Sequence, residues 1–254
     1  VPTVRPSTSR VARSAPFTVM SANLFVSNRA IERHVDLVRE VQPDIICLQE
    51  LKPSFVATFD AGLDGDYPYR SILPHVDAYG FGVYSRLPIE QSALWSEPGV
   101  RPFAQRLYVH LPRGDTIALY NVHLCPPTAD STMQRGATWG FRTREAQVAF
   151  LQAEIEREGL PAILVGDHNF SDTADAYRMA LSRWEDGWHQ GGTGSRWTWP
   201  TRAFPLAMLP LTPPLLRLDF CFLSGGIQAR ALRHLRAHTG SDHRVLLAEL
   251  ELTE

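Results

Sequence analysis

The stretch "PAILVGDHNFSD", Pro161 to Asp172, carries the five apolar or small residues Ala162 to Gly166 straight into Asp167, His168 and Asn169. The apolar half reads as a buried strand. The polar half offers three side chains able to bind a metal, a phosphate or a proton. Taken alone, an Asp or Asn after a strand is a turn residue or a helix cap. The meaning of this exit depends on where the other polar residues fall.

The pattern recurs. Asn23 closes a predicted strand at 17–23, Glu50 closes "DIICLQE" (44–50), and His123 closes "TIALYNVH". Asp219 instead stands before "FCFL", and Asp242-His243 before "RVLLAEL". Glutamate is a poor turn former, so Glu50 is hard to read as punctuation. His123 alone reads as an ordinary hydrogen-bonded histidine, and "SDH" after Gly240 as a turn. Together these positions favour convergence on one edge. Convergence requires the last two strands to run against the others, hence mixed sheets. The Pro-Arg-Gly-Asp signal inside 105–124 predicts a hairpin and agrees.

Helical periodicity fills the gaps. "SNRAIERHVDLVREVQP" predicts a helix capped by Ser27 or Asn28 and stopped by Pro43, with Ile31, Val35, Val38 and Val41 on one face. Residues 143–159 predict a helix closed by Gly159, and 173–184 a short one. Residues 79–89 read as one glycine-punctuated strand. The expectation is an α/β sandwich in one domain, 16–254, behind a linker or tail at 1–15 rich in Pro, Ser, Thr and Arg.

The 254 residues carry a net charge of −2, and Lys52 is the only lysine. No overall basic field draws in nucleic acid. No run of 18 apolar residues offers a membrane-spanning helix. Cys47, Cys125 and Cys221 lack the spacing of a disulfide framework or zinc site and read as buried thiols.

The reactive inventory is oxygen-rich: Asn23, Glu50, Asp167, Asp219 and Asp242, with His123 and His243. Such a set suits Mg²⁺ or Mn²⁺ over zinc. Mg²⁺ prefers one or two carboxylates plus substrate phosphate oxygens. The inventory therefore points to metal-assisted phosphoester hydrolysis with water as nucleophile. No G-x-S-x-G elbow or Gly-rich phosphate loop competes.

Seven segments, "MSANLF", "PDIICLQEL", "GFGVYSRLPI", "YNVHL", "VGDHNF", "LRLDFCFLS" and "GSDHRVLLAEL", resemble in order the motifs of the endonuclease/exonuclease/phosphatase superfamily. The resemblance implies a four-layer α-β-β-α sandwich of two mixed sheets flanked by helices. It implies Glu50 as principal Mg²⁺ ligand with Asn23 and Asp242 close to the metal. It implies Asp167 and Asn169 as the pair that positions the water, and His243, paired with Asp219, at the phosphate or as base. His123 would stabilise the phosphate from the other side. The family commonly has an aromatic residue where this chain has His168, which is expected to point inward.

Fold and core chemistry leave the substrate open. One expectation is a phosphomonoester, phosphodiester or pyrophosphate, with a lipid such as polyprenyl pyrophosphate as the bound partner. The apolar, proline-rich segment 203–214 would then touch a membrane surface. "GTGSRWTWP" and that segment resemble the bacterial, often membrane-anchored extracytoplasmic branch, so a tethered or secreted monomer is expected. The alternatives are a nuclease acting on DNA or RNA, with local arginine clusters such as "ALRHLR", and a non-catalytic binding module. The filled catalytic positions disfavour the last.

Overall fold

The computed structural model describes residues 12–63, 65–96, 102–126, 137–201 and 214–254. The described residues form two six-stranded mixed sheets. Sheet one contains β1 (Phe17–Asn23), β2 (Ile45–Gln49), β3 (Tyr69–Leu73), β4 (Phe81–Ser85), β11 (Ile227–Leu235) and β12 (Val245–Leu252). Its order is β11-β12-β1-β2-β4-β3. Sheet two contains β5 (Ile89–Ser96), β6 (Pro102–His110), β7 (Thr116–His123), β8 (Ala162–Asp167), β9 (Glu185–Asp186) and β10 (Asp219–Ser224), in the order β5-β6-β7-β8-β10-β9. Helices α1 (Glu32–Val41) and α2 (Pro53–Leu63) cover the outer face of sheet one. Helices α3 (Ala137–Glu158) and α4 (Asp175–Leu181) cover that of sheet two. A short helix, α5 (Gly187–Gly191), follows β9.

Strand periodicity sets the layers. On β8, Ile163 and Val165 enter the core between the sheets, while Ala162 and Leu164 enter the core under α3 and α4. Burial on both faces is why "AILV" reads as a continuous apolar run. The same alternation places Phe17 and Val19, Ile45 and Cys47, Ile117 and Leu119, and Cys221 and Leu223 in the inter-sheet core. Continuing each series by two residues reaches Ser21 and Asn23, Gln49, Asn121 and His123, Asp167, and Asp219. The inner layer thus passes from hydrocarbon to amides to charged groups along one direction.

The amides bind the sheets together. Gln49 Nε2 donates to Asn121 Oδ1 (2.6 Å) and Ser21 Oγ (3.1 Å). Asn121 Nδ2 donates to the Leu48 and Gly82 carbonyls at 3.1 and 3.2 Å. Gln105 Nε2 reaches Ser71 Oγ at 2.8 Å. These buried donors have partners from the opposite sheet, so they fix the sheets' relative position.

β10 runs antiparallel to β8, and β12 antiparallel to β1, as the convergence of polar residues required. Several local expectations are corrected. The 79–89 stretch is two strands, β4 and β5, in different sheets, broken at Arg86–Pro88 where the chain crosses over. Helix α1 has neither Ser27 nor Asn28 as its cap: Asn28 Oδ1 instead accepts from Ala30 N (2.9 Å), closing a turn ahead of Ile31. Helix α3 starts at Ala137, not near 143, though Gly159 ends it at φ 68°. "ALRHLR" belongs to β11, the edge of sheet one. Of the proposed tail, residues 1–11 lie outside the described residues; Ala12 bridges to Thr253, and Ser14 Oγ accepts from Leu252 N (2.9 Å). The three cysteines are free and buried. Among the described residues no helix is long and apolar enough to cross a membrane.

Gly166 sits on β8 beside the Val122 carbonyl of β7. Its φ is 145°, and a Cβ there would lie 2.0 Å from the Val122 carbonyl oxygen. Gly166→Ala must therefore separate the strands beside the His123–Asp167 pair. It is expected to cost about 3 kcal/mol in urea denaturation; a loss under about 0.5 kcal/mol would contradict the packing.

Candidate active site

The predicted residues meet at one end of the inter-sheet layer, delivered by strands of both sheets. His123 and Asp167 are register partners on the parallel pair β7–β8, and Asp219 faces Asp167 across the antiparallel pair β8–β10. Asn23 ends β1 and Glu50 directly follows β2, their strands being parallel neighbours. Asp242 and His243 precede β12 beside β1.

Asp167 Oδ2 is the hub. It accepts from Asn23 Nδ2 at 3.0 Å and from Asn169 Nδ2 at 3.3 Å, while Asp167 Oδ1 accepts from the Asn169 N–H at 2.9 Å. His123 Nε2 and His243 Nε2 lie 3.7 and 3.6 Å from the same Oδ2. Asn23 Nδ2 also donates to Glu50 Oε1 (3.0 Å), and Glu50 Oε2 accepts from the Val26 N–H (2.6 Å). His123 Nε2 is 4.0 Å from Glu50 Oε1, and its Nδ1 is buried with no hydrogen-bond partner among the described residues.

His243 Nδ1 meets Asp219 Oδ2 at 2.9 Å, which puts the proton on Nδ1 and leaves Nε2 toward Asp167. Burial opposes charge on this ring, but the Asp219 and Asp167 carboxylates outweigh it and hold its pKa well above the ordinary histidine value. Ser241, which reads as a turn residue in the sequence, ties the site together: its hydroxyl donates to the Asn23 carbonyl (2.7 Å) and accepts the His243 N–H (3.0 Å). Trp199 Nε1 donates to Asp242 Oδ2 at 3.1 Å. Thr201 and Arg244 add backbone bonds between 198–201 and 242–244, at 2.8 and 2.9 Å.

Two of the polar site residues adopt costly conformations. Glu50 and Asn169 have φ of 57° and 51°, the left-handed region that non-glycine residues avoid. Glu50 is held there by the bonds from Asn23 and Val26, and Asn169 by its bonds to Asp167 and to the Leu124 carbonyl (3.0 Å).

The donor set fits a divalent cation. Glu50, Asp167 and Asp242 supply carboxylate oxygens around one cavity, and Asp167, Asp219 and His243 each bring a ligand atom within 4.8 Å of one another. Asn23 is the exception among the expected metal residues. Its Oδ1 accepts the Phe25 N–H at 2.9 Å, so it turns its NH₂ to the carboxylates and cannot ligate in this orientation. It positions Glu50 and Asp167 instead.

The cavity has a volume of about 620 Å³. Besides the polar cluster it is walled by aromatic and aliphatic side chains, including Phe25, Tyr79, Phe170 and Leu218. Phe141 and Leu216, also in its wall, are 54% and 38% exposed and form an apolar rim. Sequence reading missed Trp199, Ser241 and Arg144 as site residues. Arg144 shares one helical face with Gln147, Val148 and Leu151, all buried, and that spacing was the available signal.

The profile of the Endonuclease/Exonuclease/phosphatase family matches residues 20–243. The chain belongs to this family. Its members are hydrolases acting on phosphoester bonds, include phosphatases and DNA-processing nucleases, and generally use divalent metals. A family protein from Bacteroides thetaiotaomicron superposes with a TM-score of 0.73 at 20% identity, covering 94% of this chain and 99% of its own. The mannosyl-6-phosphatase of the same species gives 0.72 at 20%, covering 92% and 99%. Truncated Caenorhabditis elegans TDP2 gives 0.70 at 19%, covering 93% and 98%. No curated protein matches at the level of sequence. These structural likenesses establish the fold, and the family's two mixed sheets with flanking helices are the architecture found in this chain.

His168 points away from the cavity, as expected. It is 1% exposed, lies among Phe170, Phe220 and Phe222, and Nδ1 contacts the Gly166 carbonyl at 3.0 Å. Burial pushes its pKa down to about 4, against 6.5 for a free side chain. Between those values the unfolded chain binds a proton that the folded chain refuses. Stability is therefore full above pH ~6.5 and falls as pH drops toward 4, by about 1.4 kcal/mol per unit. His168→Phe should gain on the wild type by about 2 kcal/mol between pH 7 and pH 5. Urea denaturation in EDTA measures this; a gap constant with pH would refute the buried neutral histidine.

Proposed function

We propose that the protein is a Mg²⁺-dependent phosphoesterase, hydrolysing a phosphomonoester, phosphodiester or pyrophosphate, with a lipid-linked phosphate as its substrate. The observation that carries this reading is the Asp167 carboxylate flanked by His123 and His243, with Glu50 held beside it by Asn23. A site for phosphate hydrolysis needs a carboxylate to orient water, and donors aimed at the phosphate oxygens. Asp167 and Asn169 supply the first, and the Nε2 atoms of the two histidines supply the second.

Glu50 and Asp242 would hold Mg²⁺, or Mn²⁺ in its place, with Asn23 fixing Glu50. The bound ion would neutralise phosphate charge and polarise water. The raised pKa of His243 favours an imidazolium that donates to the phosphate over a neutral ring acting as base. Asp219 holds that ring in place. Asp167 is then the group able to take a proton from water.

The lipid part of the reading rests on the apolar walls and on the rim of Phe141 and Leu216, with Leu215 beside it at 58% exposure. An apolar lip suits the tail of an amphipathic substrate. It also accords with the membrane-anchored, extracytoplasmic branch, in a monomer. Most of segment 203–214, the proposed membrane contact, lies outside the described residues.

Activity is expected with Mg²⁺ or Mn²⁺ and lost in EDTA. Glu50→Ala should abolish most of it, and His243→Ala should lower kcat at least ~100-fold. Near-normal turnover in either variant would overturn the assignment. Phosphate release from a polyprenyl pyrophosphate in detergent, set against cleavage of plasmid and of an abasic-site duplex, tests the substrate. Plasmid cleavage without phosphate release from the lipid would replace the lipid reading with a nuclease.

A further inference from the structure

Arg144 is 3% exposed and sits in the cavity wall with Asp167, Asn169 and His243. Among the described residues it is the only arginine or lysine lining that cavity. A buried guanidinium is costly unless its charge and its five N–H groups are met. Among the described residues its hydrogen bond is one, from Nη1 to the Cys125 carbonyl at 2.9 Å, and it has no carboxylate within ion-pair distance. Its face packs over the Phe141 ring, 5.1 Å from the centroid. A single neutral carbonyl does not balance a buried cation. Nor does the general hydrolytic reaction call for it, because the scissile phosphate is already served by His123, His243 and the candidate metal ligands.

We infer that Arg144 is a specificity-determining residue that anchors a second anionic group of the substrate, next to the scissile phosphate. This rests on the phosphoesterase reading for the identity of the first group. Arginine's planar fork matches phosphate oxygens, and its position in the cavity wall confines the second anion to one side. Two substrate types present such a pair: a diphosphate monoester, in which the anions share one bridging oxygen, and a polynucleotide, in which the neighbouring phosphodiester is the second anion. The apolar lining favours the first. Phe141 beside the guanidinium would contact the organic group of the diphosphate.

The test uses the full chain in Mg²⁺ with p-nitrophenyl phosphate, farnesyl diphosphate and a single-stranded oligonucleotide. Arg144→Gln should lower the ratio of kcat/KM for the diphosphate to that for the monoester by about 30-fold, the loss of a charge-assisted hydrogen-bond pair. Arg144→Lys, which keeps the charge without the fork and serves if the Gln variant does not fold, should lose less. A selective loss on the oligonucleotide would keep the second-anion site but overturn the diphosphate assignment. Equal losses on all three substrates would overturn the inference and leave Arg144 as a clamp on Cys125. Methylenediphosphonate gives a readout without turnover: it should raise the melting temperature of the wild type by about 3 °C and that of Arg144→Gln by much less. A wild type inactive on every substrate but stabilised in this Arg144-dependent way would reject the phosphoesterase reading and keep the anion site. An active wild type with an unchanged substrate ratio would do the reverse.

Discussion

The carboxylate of Asp167 is the constraint around which the molecule is arranged. An isolated buried anion would cost many kcal/mol, so it persists only where donors surround it. Here the donors come from three places in the fold. Asn169 bonds it from its own loop, Asn23 from the opposite sheet, and the two imidazoles stand off at 3.6 and 3.7 Å. No single sheet could supply them all. The sandwich is therefore needed as a way of pointing the ends of β1, β7 and β8, and the starts of β10 and β12, into one layer. The amide ladder of Gln49, Asn121 and Gln105 lies directly below and sets the sheet spacing on which these contacts depend.

The backbone shows the cost of this arrangement. Glu50 and Asn169 sit in left-handed conformations, each worth about 1–3 kcal/mol of strain. Both turn the chain sharply at the end of a strand, so that the last side chains meet the cluster and do not run on past it. Gly166 contributes by a different route, allowing β8 to press against the Val122 carbonyl. Such costs are borne by the three large apolar cores, which hold the strands in register whatever the site demands.

This division explains what the sequence discloses. Inner-face alternation is written in it: Val19, Ser21 and Asn23, or Ile163, Val165 and Asp167, follow a period of two from apolar to reactive. Reading the strand ends thus located Glu50, His123, Asp167, Asp219 and His243, and even the antiparallel sense of β10 and β12. Elements without that gradient were lost. β3 has exposed Tyr69 and Arg70 at its start, and β11 carries Arg230 and Arg233 on a sheet edge, so neither shows the signature of a buried strand. The amide orientation of Asn23 was equally illegible, because it depends on the Phe25 N–H, a backbone group with no letter of its own. Arg144 was hidden for the opposite reason. On a helix its charge reads as solvated, although the face it shares with Gln147, Val148 and Leu151 is the one that α3 packs onto β7 and β8.

The site joins two solvents of different character. Its floor is ionic and its rim is apolar, and the segment 198–201 connects them. Trp199 bonds Asp242 through its indole, while its backbone pairs with Leu216 on the rim. Thr201 and Arg244 close the same strap onto 242–244. Leu216 on the rim is thus linked through Trp199 to the Asp242 carboxylate by backbone and indole hydrogen bonds. An apolar group seated on Leu216 would press on the strap that orients Asp242. Such a strap is a physical means by which the non-reacting part of a substrate could bear on the chemistry. On the proposed function, specificity would reside in the rim and in Arg144, and reactivity in the strand ends around Asp167.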